Sequence, residues 1–204
     1  MLLLYFALAF AFEPTTPSIP EECSYDRTAM LALNQNAFDQ DLSGGWRKIA
    51  KVGCELTAAD LIHDYRMSKD IKSSTLFWHE GQLRAFAGQT ASAAILLNEA
   101  RKSEQEDNGW GWNLYVDGTV AFLNGDKPAL LEARDMLSKL PEPDSLKMKK
   151  DAYGRPMKVT WPMNLSVLDG LIRCWEQSYK EAYACPRPSN LTERSESKRA
   201  PEAP

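Results

Sequence analysis

The chain has 204 residues, of which 44% are hydrophobic and 25% charged, a composition typical of one globular domain. Collagen, a disordered acidic tail and a multi-pass membrane protein are excluded. Asp and Glu number 28 against 24 Lys and Arg, so the basic surface that nucleic-acid binding requires is missing and nucleic acid is not an expected partner.

The first twelve residues, MLLLYFALAFAF, form an uninterrupted apolar run. A membrane-spanning helix needs about 20 residues, whereas this run has the length of a signal-peptide core and contains an A-x-A site at Ala9–Ala11. We therefore predict a signal peptide at 1–11, an extended mature N-terminus at 12–24, and a periplasmic or secreted protein with no stable membrane insertion after signal removal. A buried N-terminal helix is the alternative.

The four cysteines become informative in an exported protein, because an oxidising compartment allows disulfides to form. Cys23, Cys54, Cys174 and Cys185 permit three pairings. We favour Cys23–Cys54 and Cys174–Cys185, since each joins segments that are near in sequence. A zinc site is the alternative, but the chain has no C-x-x-C pair and only two histidines, so we expect no metal and no cofactor.

Apolar residues recur at helical spacing through the mature chain, and no segment shows the alternation typical of a strand. The prediction is an all-α domain over 25–186, with an irregular Pro-rich insertion at 141–162 and a disordered tail at 187–204. The polar run at 103–108 is predicted to be a loop. The predicted helices cover residues 26–41, 46–52, 58–67, 74–87, 90–102, 112–123, 127–140, 164–175 and 176–184.

A four-residue motif, an acidic residue followed by Gly, any residue and an aliphatic residue, occurs three times along these helices. Segments 77–83 and 114–120 are displaced by 37 residues, and a third copy at 166–172 lies 52 residues further on. Glycine inside a helix costs roughly 1 kcal/mol relative to alanine, so glycines at three equivalent places indicate the close approach of a neighbouring helix.

This pattern resembles the tetratricopeptide repeat (TPR), in which antiparallel helix pairs of about 34 residues stack into an α-solenoid. Gly81, Gly118 and Gly170 match the small residue that lets the second helix pack on the first, and Ala93 matches a small position of the second helix. The longer spacing makes the domain TPR-like. The chain is also similar to a family of uncharacterised exported bacterial proteins, through Gly44-Gly45-Trp46-Arg47, Trp78-His79-Glu80-Gly81 and Tyr115-Val116-Asp117, and this similarity implies no activity.

The TPR resemblance implies that the first helices line a groove for peptides or protein segments. Carried over from the matched glycines, the groove positions are Trp78, Gln82, Tyr115 and Thr119, with Trp112 near the rim. Rigid aromatic side chains suit such anchoring, although Trp and Tyr at helical spacing are more often buried in a core. The predicted function is a non-catalytic binding module for an unidentified protein or peptide of the cell envelope.

The alternative function rests on Glu80, Asp117 and Asp169, which precede the three glycines. In an envelope hydrolase these carboxylates would act as acid and base, whereas pairing with basic residues such as Arg84 would make them structural. No complete catalytic motif is present, since Leu83 stands where an H-E-x-x-H pattern needs its second histidine. A purely structural component of an envelope assembly is the third possibility.

Overall fold

The structure is a computed structural model that describes residues 20–147 and 159–187, and every regular element in these ranges is a helix. The predicted signal peptide, residues 12–19 of the predicted extended N-terminus, residues 148–158 of the insertion and residues 188–204 of the tail lie outside the described residues. The α-helices are α1 (Arg27–Ala32), α2 (Arg47–Ala50), α3 (Glu55–Lys69), α4 (Ser74–Phe86), α5 (Thr90–Glu99), α6 (Glu104–Asp107), α7 (Trp112–Leu123), α8 (Lys127–Ser138), α9 (Asp144–Lys147), α10 (Leu165–Arg173) and α11 (Tyr179–Tyr183). None of the described helices has the length and apolar character needed to cross a membrane.

The single helix predicted over 26–41 is wrong, because the chain breaks after α1. Leu33 is extended, and its carbonyl accepts a hydrogen bond of 2.8 Å from the Tyr65 hydroxyl of α3. A π-helical turn, Asn36–Gln40, follows the break. The apolar spacing continues across the break, so periodicity alone cannot reveal it.

The predicted loop at 103–108 is also wrong, because it contains the short helix α6. Ser103 and Glu106 form a capping box, in which Ser103 Oγ accepts from the Glu106 N–H and the Glu106 carboxylate accepts from the Ser103 N–H. This run has no apolar residues, so helical periodicity cannot identify it as a helix. Most of the other predicted helices are present with ends that differ by up to three residues.

The helices pack as neighbouring pairs: α4 on α5, α7 on α8, and α10 on α11. Helix α3 lies against α4 on one side of this series, and α10 packs on both α7 and α8 on the other. The buried apolar residues form an N-terminal cluster around Phe38, Ile62 and Tyr65, and a second cluster that extends from Trp78 to Ala182. Phe86 of α4 packs against both clusters and joins them.

The three repeated glycines lie where the neighbouring helix comes closest. A Cβ added to Gly81 would lie 2.9 Å from Leu97 of α5, and one added to Gly118 would lie 2.8 Å from Leu168 of α10. At Gly170 the nearest atom is the carbonyl oxygen of Ala182 in α11, at 3.0 Å. Ala93, the small position of α5, is fully buried. These distances are below normal carbon contacts, so a larger residue would separate the helices.

Two disulfides fix the first and last parts of the described chain. Cys23 is bonded to Cys54 and Cys174 to Cys185, with Cα–Cα distances of 5.6 and 6.1 Å, and no cysteine is free. These are the two pairs favoured from the sequence. The first holds the residue that precedes α3, and the second holds the end of α11 against the end of α10.

Candidate functional site

Helix α11 covers the face of the first helices on which the sequence places the groove. The Phe86 ring of α4 lies 5.5 Å from that of Tyr179 and 5.4 Å from that of Tyr183. Tyr183 also lies close to Tyr115 in α7 and raises the pKa of its phenol. Helix α11, the last helix of the described residues, therefore fills the part of the groove that lies over α4 and α7.

The aromatic residues predicted as ligand anchors belong to the core. Trp78 is 5% exposed and Tyr115 is 3% exposed, with ring centroids 4.7 Å apart. Half-buried Trp112 packs edge-on against Trp78 at 4.7 Å and donates its indole N–H to the Ala100 carbonyl at 2.8 Å. Burial raises the pKa of the Tyr115 phenol well above its usual value, and neighbouring Tyr side chains raise it further. These side chains stabilise the fold.

The predicted groove therefore needs correction. Thr119 is fully buried, and its hydroxyl donates to the Tyr115 carbonyl at 2.9 Å. Side chains as buried as Trp78, Tyr115 and Thr119 have no surface to offer a ligand. Gln82 is different, because it lines an open cleft beside α11.

The three carboxylates that precede the glycines each pair with an arginine from an earlier part of the chain. The pairs are Arg66–Glu80, with 2.5 Å between Nη2 and Oε2, Arg101–Asp117, and Arg134–Asp169, with 2.8 Å between Nε and Oδ1. Glu80 is only 1% exposed and also accepts from Nε of Arg84 at 3.1 Å. These pairs link each first helix to a preceding element, which gives the carboxylates a structural role.

An open cleft of about 440 Å³ lies between α2 and α11, with α4 as its floor, and we call it the α2–α11 cleft. Its size is within the range of pockets that bind small molecules or short peptide segments. It is lined by Leu42, Trp46, Arg47, Ala50, Lys51, Glu55, Gln82, Leu83, Phe86, Lys180, Tyr183 and Ala184.

The α2–α11 cleft combines an apolar floor with charged walls. Leu83 and Phe86 contribute apolar surface from α4, and the Gln82 amide offers one hydrogen-bond acceptor and two donors. Lys180 of α11 forms an ion pair with Glu55 of α3, at 2.5 Å between Nζ and Oε1. This pair joins α11 to the first residue of α3 at the cleft. Burial alone raises the pKa of the Glu55 carboxyl, but the hydrogen bond from Lys180 lowers it overall.

A fully buried carboxylate, Asp39, holds the α2 wall of the cleft. Its Oδ1 accepts from Nε1 of Trp46 at 2.9 Å and from Nδ1 of His79 at 2.6 Å, and its Oδ2 accepts from Nε2 of Gln40 at 2.6 Å. The Arg47 guanidinium donates to the Asp39 backbone carbonyl and lies over the Trp46 ring, 4.2 Å from its centroid. Asp39 thus orients both of the large side chains on this wall.

The pKa of Asp39 reflects this set of contacts. Burial by itself raises the pKa of the carboxyl, but the hydrogen bond and charge of His79, with the bonds from Trp46 and Gln40, hold it below its usual value. An ionised carboxylate only accepts hydrogen bonds, so Nδ1 of His79 is the donor. The sequence offers no local sign that Asp39 is buried.

The turn before Trp46 requires its two glycines. Gly45 has a φ of +50°, and a Cβ there would lie 1.9 Å from the Phe38 carbonyl oxygen. A Cβ on Gly44 would lie 2.3 Å from a carboxylate oxygen of Asp41. The Gly-Gly pair therefore lets this turn lie directly on the segment that carries Asp39.

A second cleft, of about 370 Å³, lies between α7 and α8 and includes Leu114, Ala133 and Met136. Its acidic residue Asp117 is paired with Arg101, and Asp126 caps α8 by accepting from the Ala129 N–H. Two of its acidic side chains are therefore used within the fold, while Glu132 and Asn124 also line it. No cluster of three or more His, Cys, Asp or Glu residues that could bind a metal occurs within 20–147 and 159–187.

Compared with protein-family models, curated proteins and solved structures, the chain gives no significant match to any of them.

Of the residues predicted to line the groove, Gln82 of α4 lines the α2–α11 cleft, whereas Trp78, Tyr115 and Thr119 are buried. The walls of the cleft include Trp46, Arg47, Lys180 and Tyr183, which come from two segments far apart in the sequence that helical period does not connect. In the sequence, Gly-Gly-Trp-Arg serves only as a point of similarity to the exported family. A glycine pair directly before Trp and Arg indicates a close backbone approach, and this was the available signal.

Proposed function

We propose that the protein is an exported, TPR-like binding module that holds a short peptide or protein segment in the α2–α11 cleft. The observation that carries this proposal is an open, partly apolar cleft with a polar side chain, Gln82, on its floor. Ligand sites are typically concave and mainly apolar, with a few placed polar groups.

Three features support a pre-formed site. Cys54, in the disulfide with Cys23, directly precedes Glu55 on one side of the cleft, and Cys185 directly follows Ala184 on the other. Buried Asp39 orients Trp46 on the α2 wall. A site whose walls are fixed before binding loses less conformational entropy when the ligand arrives.

Export and TPR-like stacking remain parts of the proposal with their own support. Two disulfides are typical of an oxidising compartment. The packed pairs α4–α5 and α7–α8, with Gly81 at a close helix approach, favour a short repeat stack. A binding role is favoured over hydrolysis because the three carboxylates Glu80, Asp117 and Asp169 are each paired with an arginine.

The experiment is NMR titration of the ¹⁵N-labelled, disulfide-bonded protein with pools of N-acetylated, C-amidated tetrapeptides. We expect chemical-shift changes at the Gln82 side-chain amide, the Lys51 amide and the Trp46 indole N–H. The variant Ala184→Trp places a large side chain at an exposed position of the cleft wall, so it should abolish these changes without disturbing the core.

The matched control is Ala91→Trp, which changes an exposed alanine of α5 that does not line the cleft. This variant should bind peptides as the unmodified protein does. Shifts centred on Ala133 and Met136 of the second cleft, or no shifts at millimolar peptide, would refute the proposed site.

A further inference from the structure

We infer that the α2–α11 cleft selects acidic peptide segments, in which a large apolar side chain is flanked by Asp or Glu. This inference rests on the proposed function and adds the chemical class of the ligand. The argument comes from the charges on the two walls, the apolar surface between them and the hydrogen-bonding groups of the floor.

The charge of the cleft is opposite to that of the whole chain. The chain has a formal net charge of −4, yet the cleft is lined by the cations Arg47, Lys51 and Lys180 and by one carboxylate, Glu55. A concave surface whose charges have one sign concentrates ligands of the opposite charge. The ligand is therefore expected to carry negative charge.

The cations of the cleft keep donors for a ligand. Lys51 is exposed and has no carboxylate partner among the described residues. Lys180 has three N–H donors, of which Glu55 takes one. Arg47 has five, and its hydrogen bond in the described chain is to the Asp39 backbone.

The carboxylates near the cleft are already occupied. Glu55 is held by Lys180, and Asp39 accepts hydrogen bonds from three side chains while fully buried. An anionic ligand would therefore meet cations without facing an unpaired carboxylate of the cleft. This arrangement favours acidic ligands over basic ones through both attraction and lower repulsion.

The positions of the cations explain why the acidic groups should flank an apolar one. Arg47 and Lys51 lie on the α2 wall and Lys180 lies on the α11 wall, while Leu83 and Phe86 lie on α4 between them. An apolar side chain on this floor would have a carboxylate on each side within reach of a cation.

The Gln82 amide favours a peptide over an acyl chain. Its oxygen accepts and its nitrogen donates, which matches the N–H and carbonyl of one peptide unit. A fatty acid carries an apolar chain and a single carboxylate, so it would leave this amide and the cation of one wall unused.

The test compares N-acetylated, C-amidated Ala-Glu-Phe-Glu-Ala with its Gln-Phe-Gln and Lys-Phe-Lys counterparts by isothermal titration calorimetry. We expect the acidic peptide to bind about tenfold more tightly than the Gln peptide, since each exposed ion pair contributes on the order of threefold. The affinity of the acidic peptide should fall between about 50 and about 500 mM NaCl, because salt screens exposed charges.

Lys51→Glu and Lys48→Glu form the matched pair of variants. Both change an exposed lysine of the α2 segment by the same charge, but only Lys51 lines the cleft. Lys51→Glu should weaken the acidic peptide about five- to tenfold, and Lys48→Glu should change it less than about twofold.

Equal binding of the acidic and Gln peptides, with no effect of Lys51→Glu, would overturn this inference and leave the proposed site intact. Binding of laurate that the acidic peptide does not displace would also overturn it. Failure of every peptide to bind, including the pools of the NMR experiment, would refute the proposed function itself.

Discussion

The buried carboxylate of Asp39 gives the sharpest test of how the cleft is built. The substitution Asp39→Asn keeps the shape of the side chain and removes its charge. The amide oxygen can still accept from Trp46 and His79, and Gln40 can rotate its own amide to accept from the new N–H group. The change therefore isolates the charge from the hydrogen-bond count.

The expected loss follows from the bonds that Asp39 makes. Hydrogen bonds to a charged group contribute about 1.5–3 kcal/mol each, against about 0.5–1.5 kcal/mol for neutral ones. Two such bonds, from Trp46 and His79, therefore lose on the order of 2 kcal/mol in total. The Arg47 guanidinium, with Nη1 3.9 Å from Oδ1, also loses its nearby charge. We expect the free energy of unfolding to fall by about 2–3 kcal/mol and the Tm by about 5–10 °C.

Guanidinium unfolding of the oxidised protein, followed by circular dichroism, measures this loss. The control is Asp60→Asn, which removes a carboxylate that is 60% exposed and pairs with Arg84 at 3.0 Å. A surface ion pair contributes at most about 1 kcal/mol, so this control should be nearly neutral. If Asp39→Asn were as stable as Asp60→Asn, the buried network would not support the fold.

The pH dependence of the unfolding free energy tests whether the Asp39 carboxylate stabilises the folded protein in its ionised form. The pKa of Asp39 is lower in the folded protein than its usual value of 3.8, so its stabilisation is fully present above that value. It is lost as the pH falls through the lower, folded pKa. The stability difference between the unmodified protein and Asp39→Asn should therefore shrink as the pH is lowered from 5 toward 2. A difference that grew on acidification would contradict a lowered pKa.

Two further predictions concern the repeat glycine and the disulfides. Alanine in an isolated helix is about 1 kcal/mol more stable than glycine. Gly81→Ala should nevertheless lower the free energy of chemical unfolding by about 1 kcal/mol or more, because the new Cβ would clash with Leu97. A gain in stability would show that α4 and α5 do not pack closely at this point. Cys174→Ser with Cys185→Ser, which opens a loop of 11 residues, should cost about 3 kcal/mol, and Cys23→Ser with Cys54→Ser, with 31 residues, should cost about 4 kcal/mol. Calorimetric melting of the two double variants measures both losses, and the opposite order would contradict the loop-length argument.

The sequence by itself determined most of the helices and the glycines at which they approach each other. Helical period identified α4, α5, α7 and α8, since the spacing of apolar residues is a local property. The glycine at the same place in three copies pointed to close helix contacts, because a mid-helix glycine is costly without one. Nearness in sequence was enough to favour the two cysteine pairs.

Tertiary structure alone decided which surfaces remain open. Trp78 and Tyr115 have the pattern of groove residues, and their pattern is the same whether a ligand or the chain itself covers them. Tyr115 lies beside Tyr179 and Tyr183 of α11, and Trp78 packs on Tyr115. The two tyrosines of α11 are distant in sequence and leave no signal in α4 or α7. The predicted groove is covered because helical period shows only which face of a helix is apolar, whereas the packing of distant helices determines what covers that face.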